Sequence, residues 1–195
     1  NRKIADHISD INITISNQAK QNLISEGIKS EYIFQLGSCM FEILEKHKEK
    51  ILNSNILKKL KVQKDKYILI SLHREENVDQ KEVLKNIFNQ IKKISKILKC
   101  RVIVSTHPRT KINLNKFGIV LNNNKKIEFC EPFGFFDYCN LQINSYCTIS
   151  DSGTIFEESS ILSFPSVTIR ASHERPEGIE GGTTVVSSDK NSDIL

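Results

Sequence analysis

A chain of 195 residues is long enough for one good-sized domain, or for a domain and part of another. Apolar residues make up 38% of it, which excludes disorder and calls for a packed core. The net charge of +5 comes from lysines spread along helical faces, a balance that suits anionic small molecules and gives little support to nucleic acid.

In chain order, residues 1–10 have helical spacing, with Ile4 and Ile8 on one side. Ile11 to Ile15 alternates with period two, as a strand does, and Ser16 or Asn17 then caps a helix closed by Gly27. Tyr32 to Leu36 is a second short strand, Met40 to Lys50 a charged helix, and the Lys/Asn-rich stretch 53–66 a surface helix or a linker. From Tyr67 the pattern becomes regular. Tyr67 to Leu72 is an unbroken apolar run, the mark of a strand buried on both faces. His73-Arg74-Glu75-Glu76-Asn77 follows it. Asp79, with Glu82 three residues on, has the spacing of a capping box for a long helix whose core face is Val83, Ile87, Ile91, Ile94 and Leu98. Arg101 to Ser105 is the next buried strand, followed by Thr106-His107-Pro108-Arg109 and a short helix or loop to Phe117-Gly118. Then come a strand at 127–129, a helix from Phe135 to Tyr146, a strand at 147–150, a helix from Thr154 to Leu162, and strands at 166–169 and 183–186. Alternating strands and helices with apolar strands predict an α/β fold, a doubly wound parallel sheet of Rossmann-like type. No apolar run reaches the roughly 20 residues that span a bilayer, and no signal-peptide pattern opens the chain. Cysteines 39, 100, 130, 139 and 147 form no CxxC pair and read as small buried hydrophobes in a reducing compartment, so the expected location is the cytoplasm. The histidines are too scattered for a metal site.

In doubly wound sheets, ligands bind beyond the carboxyl ends of the strands. His73 and Arg74, His107 and Arg109, Ser152 and Gly153, and the loop Arg170–Arg175 all fall there. Ser152-Gly153 is common turn punctuation, but a strand before it and a helix after it aim free N–H groups at an anion. Taking about 100° per residue, Glu157 points away from the Ile155/Leu162 face whereas Glu158 lies within it. A carboxylate there either pairs with a cation, with Arg74, Arg170 and Arg175 as candidates, or accepts hydroxyls of a ligand such as a ribose diol. Arg74 suits phosphate through its planar fork. Glu75 and Glu76 order the loop, and capping is the expected role of His107 and Arg109. In Glu174-Arg175-Pro176-Glu177-Gly178, the proline fixes the backbone after Arg175, and Gly178, Gly181 and Gly182 permit close approach; the plainer reading is a solvated charge cluster. There is no phosphate-binding lysine loop of the Walker type and no GxGxxG after the first strand.

SLHREENVD, SDSGTIFEES and ASHERPEGIEGGT, in this order and spacing, resemble the non-hydrolysing UDP-N-acetylglucosamine 2-epimerases. The resemblance covers nearly the whole chain. It implies a glycosyltransferase-B-like two-domain fold of which residues 59–195 are the UDP-binding second domain and residues 1–58 the segment entering from a first domain; with no initial methionine, the chain is expected to be a fragment. It makes His73 a catalytic residue contacting substrate near the diphosphate, with Arg74 beside it. Ser152, Gly153 and Thr154 become the diphosphate-binding turn, Glu158 the holder of the ribose hydroxyls, Arg175 a diphosphate ligand, and Tyr138 the aromatic beside the uracil. Two departures matter: Thr154 stands where the family usually has a second glycine, and Glu75 where an arginine is frequent. SGT with SHERPEG is similar to the branch acting on 6-deoxy UDP-HexNAc sugars, as in UDP-L-FucNAc synthesis. The family chemistry is anti elimination of UDP to a 2-acetamidoglucal and re-addition with inversion at C2, without cofactor. It implies a UDP-sugar substrate, a homodimer when full length, and a place in surface polysaccharide synthesis. A glycosyltransferase of the same architecture and a non-catalytic nucleotide-sugar sensor are the alternatives.

Overall fold

Six short segments rich in Ile, Val, Thr and Ser set the architecture, because β-branched side chains suit a pleated surface covered on both faces. The computed structural model describes residues 1–119, 126–169 and 182–187. Its contacts divide the chain into two units, Asn1–Lys46 and His47–Leu195.

The first unit holds helices α1 (Arg2–Ile8), α2 (Asn17–Ser25) and α3 (Cys39–Lys46), with strands β1 (Asn12–Thr14) and β2 (Ile33–Gln35) paired in parallel. The Ser16 hydroxyl caps α2 by accepting from the Ala19 N–H at 3.1 Å, and Gly27 follows at φ 95°, a conformation L side chains rarely adopt. The alternation in Ile11–Ile15 does give a strand. The side it buries, however, is that of Asn12 and Thr14, while Ile11, Ile13 and Ile15 are exposed.

The second unit runs α4 (Lys48–Leu52), α5 (Ile56–Leu60), β3 (Tyr67–Leu72), α6 (Glu75–Val78), α7 (Lys81–Ile97), β4 (Arg101–Thr106), α8 (Pro108–Lys116), β5 (Ile127–Cys130), α9 (Phe135–Asn144), β6 (Cys147–Ser150), α10 (Ile155–Leu162), β7 (Ser166–Ile169) and β8 (Thr184–Ser187). Its six strands are all parallel, in the order β5-β4-β3-β6-β7-β8. This is the expected doubly wound sheet. Successive residues of β3 face opposite layers: Ile68, Ile70 and Leu72 pack with Leu84, Ile87, Phe88 and Ile91 of α7, whereas Tyr67 and Leu69 pack with Ile56 and Leu141. The chain winds outward from β3 to β4 and β5, then returns to place β6 on the other side of β3. The β3–β6 seam is therefore the switch point at which a crevice opens.

Three local expectations are corrected or narrowed. Residues 40–50 form two helices, α3 and α4, rather than one. Of the two readings of 53–66 the linker fails and the surface helix stands: α5 exposes Lys58 and Lys59, while Ile56 is 5% exposed and Leu57, Leu60 and Val62 pack against the core. Asp79 does not cap α7. That helix begins after Gln80 without a side-chain cap, and Asp79 instead ends α6 with its carboxylate on Arg109 and Asn113. No helix among the described residues is long and apolar enough to cross a membrane.

Candidate functional site

The register of the seam places Ser71 of β3 opposite Ser150 of β6, with Ser105 of β4 and Thr168 of β7 at the same level on either side. Small hydroxyl side chains near the carboxyl ends leave room above the sheet. One residue beyond this row, the turns after β3 and β6 meet. Asp151 is 0% exposed there, and its carboxylate accepts from the His73 N–H (3.0 and 3.1 Å), the Arg74 N–H (2.9 Å) and Asn77 Nδ2 (3.1 Å). His73 Nδ1 lies 2.9 Å from Asp151 Oδ1. Burial pushes the Asp151 carboxyl up, but the bonds from His73, Arg74 and Asn77 outweigh it and hold the group below its usual range. The Arg74 guanidinium turns back through Nε to the Asp151 carbonyl at 3.2 Å. Asp151, which the sequence did not single out, thus anchors the HREEN turn. The available signal was its position: a carboxylate directly after a strand buried on both faces needs several donors.

His73 remains 39% exposed, with its ring centroid 5.9 Å from that of His107. As expected, His107 caps: its Nδ1 accepts from the Arg109 N–H at 3.2 Å at the start of α8. Arg109 is committed elsewhere, donating from Nε and Nη2 to Asp79 and from Nη1 to Glu75 at 2.8 Å. Glu75 is therefore engaged by an arginine of α8.

After β6, the hydroxyls form a directed chain. Gln142 Nε2 donates to Glu158 Oε2 at 2.6 Å and Thr154 Oγ1 donates to Glu158 Oε1 at 2.7 Å. With its proton so used, Thr154 Oγ1 accepts from Ser152 Oγ at 2.9 Å. The half-buried Glu158 carboxylate is thus held by neutral donors, not by Arg74; Arg170 and Arg175, the other candidate partners, lie outside the described residues, as does the rest of the 170–181 loop. Gln142 was not foreseen, although it stands one helical turn after Tyr138 and on the same side. Tyr138 reaches the hydroxyls of Ser71 and Ser150, and burial, with Glu158 nearby, pushes its phenol well above its usual range.

His73, Arg74, Tyr138, Ser152, Gly153, Thr154 and Glu158 therefore gather at one seam. Donors and a cation stand at its β3 side. A carboxylate whose two oxygens each accept one bond among the described residues stands at its α10 side. That arrangement suits a ligand with an anionic part and vicinal hydroxyls. A cavity of about 430 Å³ lies apart from it, between α8 and β5, where Lys111 pairs with Glu131.

The family model for UDP-N-acetylglucosamine 2-epimerase matches residues 1–195. The curated UDP-N-acetylglucosamine 2-epimerase of Methanocaldococcus jannaschii is 38% identical over 200 residues, covering 100% of this chain and 55% of that protein. A solved structure of the M. jannaschii enzyme in complex with UDP-GlcNAc and UDP is similar with a TM-score of 0.86 at 39% identity, over 97% of this chain and 54% of that one. The Rickettsia bellii UDP-N-acetylglucosamine 2-epimerase structure gives 0.82 at 44% identity, over 96% and 49%. The chain spans about half the length of the relatives it matches.

Proposed function

This chain belongs to the UDP-N-acetylglucosamine 2-epimerase family, and on that premise we propose that it is the UDP-binding half of an enzyme interconverting UDP-GlcNAc and UDP-ManNAc. The observation that carries the reading is Glu158: a partly buried carboxylate, fixed by Thr154 and Gln142, one turn from the Ser152-Gly153 turn. A ribose diol offers two hydroxyl donors to such a group, and the diphosphate then extends toward the Ser152 turn, His73 and Arg74. Charge growing on UDP as the C1–O bond breaks is stabilised best by donors already in place. Removal and return of the C2 proton need carboxylates placed on the sugar. The family resemblance assigns these to the first domain, outside the matched segment.

Two results are expected. Isothermal titration shows UDP binding to the chain, and Arg175→Ala weakens it by roughly 1.5–3 kcal/mol, the range for a charged hydrogen bond. No turnover of UDP-GlcNAc is seen with the chain alone, whereas the full-length protein exchanges the C2 proton with solvent, as followed by NMR. An acceptor requirement would instead mark a glycosyltransferase. Thr154 in place of a second glycine favours testing 6-deoxy UDP-HexNAc sugars in the same assay. We also read the full-length protein as a cytoplasmic homodimer serving surface polysaccharide synthesis. The thiols support a reducing compartment, since Cys39, Cys100, Cys130, Cys139 and Cys147 are all free, Cys39 at the surface.

A further inference from the structure

The protons of two neighbouring imidazoles are fixed in opposite senses. Asp151 is a buried carboxylate already accepting three N–H bonds, so it can only accept from His73, and His73 Nδ1 at 2.9 Å carries the hydrogen. His107 is the reverse: its Nδ1 accepts from the Arg109 N–H, so its lone pair is occupied and the ring is neutral. With Nδ1 turned inward onto Asp151 and the ring 39% exposed, Nε2 is the outward nitrogen of His73. In the neutral ring, that outward nitrogen is a lone pair. Diphosphate oxygens are also acceptors, and two acceptors cannot share a hydrogen bond.

We propose that Asp151 is a positioning residue that makes His73 take up one proton from solvent when a nucleotide diphosphate binds, the ring then standing as an imidazolium between Asp151 and the diphosphate. This rests on the reading of the seam as a UDP site. No bond breaks in the step: the proton comes from buffer to Nε2 and is held between ring and phosphate oxygen. The surrounding charges permit it. From its own turn, His73 is flanked by Arg74, whose Nε is engaged with the Asp151 carbonyl, and by Glu75 and Glu76. From the turn after β4 it faces neutral His107 and Arg109, whose charge is matched by Asp79 and Glu75. From the turn after β6 it faces Asp151. Among the described residues, the charge in direct contact with the ring is the Asp151 carboxylate, 2.9 Å from Nδ1.

The test is isothermal titration of UDP-GlcNAc into the chain between pH 6 and 8, below the range in which the uracil N3–H ionises, in two buffers of different ionisation heat. This sugar diphosphate is a diester without a group titrating in that range, so proton uptake reports the protein. The expected result is uptake rising toward one proton at the alkaline end, with affinity falling about tenfold per pH unit there. In His73→Gln, binding is weaker, independent of pH and free of uptake. In His107→Gln, the uptake remains. Asp151→Asn, checked for folding by circular dichroism, loses the uptake as His73→Gln does. Binding without uptake in the unsubstituted chain, or uptake that survives in His73→Gln, overturns the inference while leaving the UDP reading intact. No binding at any pH overturns the UDP reading and the inference with it.

Discussion

Glu158 shows what a single side chain discloses before and after folding. Its place on an apolar arc was visible from helical spacing, because 100° per residue fixes which side chains share a face. What occupies it was not visible, since Gln142 comes from a different helix and Thr154 takes the place of a backbone-only glycine. Glu158→Gln leaves one acceptor oxygen, and its amide nitrogen then faces a donor on Thr154 or Gln142. The expected loss of UDP affinity is about 1.5–3 kcal/mol, and smaller for 2′,3′-dideoxy-UDP, which lacks the hydroxyls. Equal losses for the two nucleotides would make Glu158 structural. Gln142→Leu tests the support itself. Removing one bond to Oε2 while keeping volume should cost about 0.5–1.5 kcal/mol of UDP binding by titration, with little effect on the dideoxy compound. Asp151 escaped the sequence for a related reason. Asp after a strand is ordinary turn chemistry, and its donors come from the turn after β3, brought alongside only by the β3–β6 pairing.

At the scale of elements, apolar periodicity was the dependable guide. The spacing that named Ile87, Ile91 and Ile94 of α7 describes residues buried in the core, and the same face adds Leu84 and Phe88; Val83 is only partly buried, and Leu98, at the end of the helix, is 40% exposed. It was less decisive where composition hid a short element. Lysine and asparagine around α5 left a surface helix or a linker open, and Ile56, Leu57 and Leu60, at helical spacing, cover Tyr67 and Leu69 from one side. Ile56→Ala should therefore cost about 2–5 kcal/mol in urea unfolding, as for any buried aliphatic truncation. Lys59→Ala, on the exposed side of the same helix, should stay within about 0.5 kcal/mol. A neutral Ile56→Ala would return the segment to linker status. The Asp79 capping box failed through competition: Arg109, presented from the start of α8, offers that carboxylate a charged, two-pronged partner, which is preferred over a single backbone N–H at the start of α7. In β1 the alternation was legible but its direction was not, because period two defines two faces without saying which is covered.

The parallel sheet as a whole was readable from strand and helix order, and with it the rim where the site stands; the seam that holds both together is specified by long-range bonds. Asp151 joins the turn after β6 to the turn after β3 and, through Asn77, to the β7 carbonyl of Ile169. Its folded carboxyl lies below the ordinary carboxylate range, near 3.9 when unfolded. A depressed folded value means that the unfolded chain binds the proton more readily. The stabilisation is therefore present above the unfolded pKa and is lost as pH falls through the folded one. Asp79 titrates in the same direction, its carboxyl lowered first by the hydrogen bond from Arg109, but it sits at the surface where salt screens the pair. Urea midpoints measured from pH 7 to pH 2 by circular dichroism should hold steady and then drop below about pH 4. Adding salt should weaken the share due to Asp79, and Asp79→Asn should remove it. Asp151→Asn should lower the midpoint already at pH 7, because an amide cannot accept all the bonds converging there, and should flatten the acid drop. A variant curve running parallel to that of the unsubstituted chain down to pH 2 would place the acid-sensitive group elsewhere. The drop has to survive in salt if Asp151 is responsible, since a carboxylate with 0% exposure is shielded from counterions by the two turns it ties together.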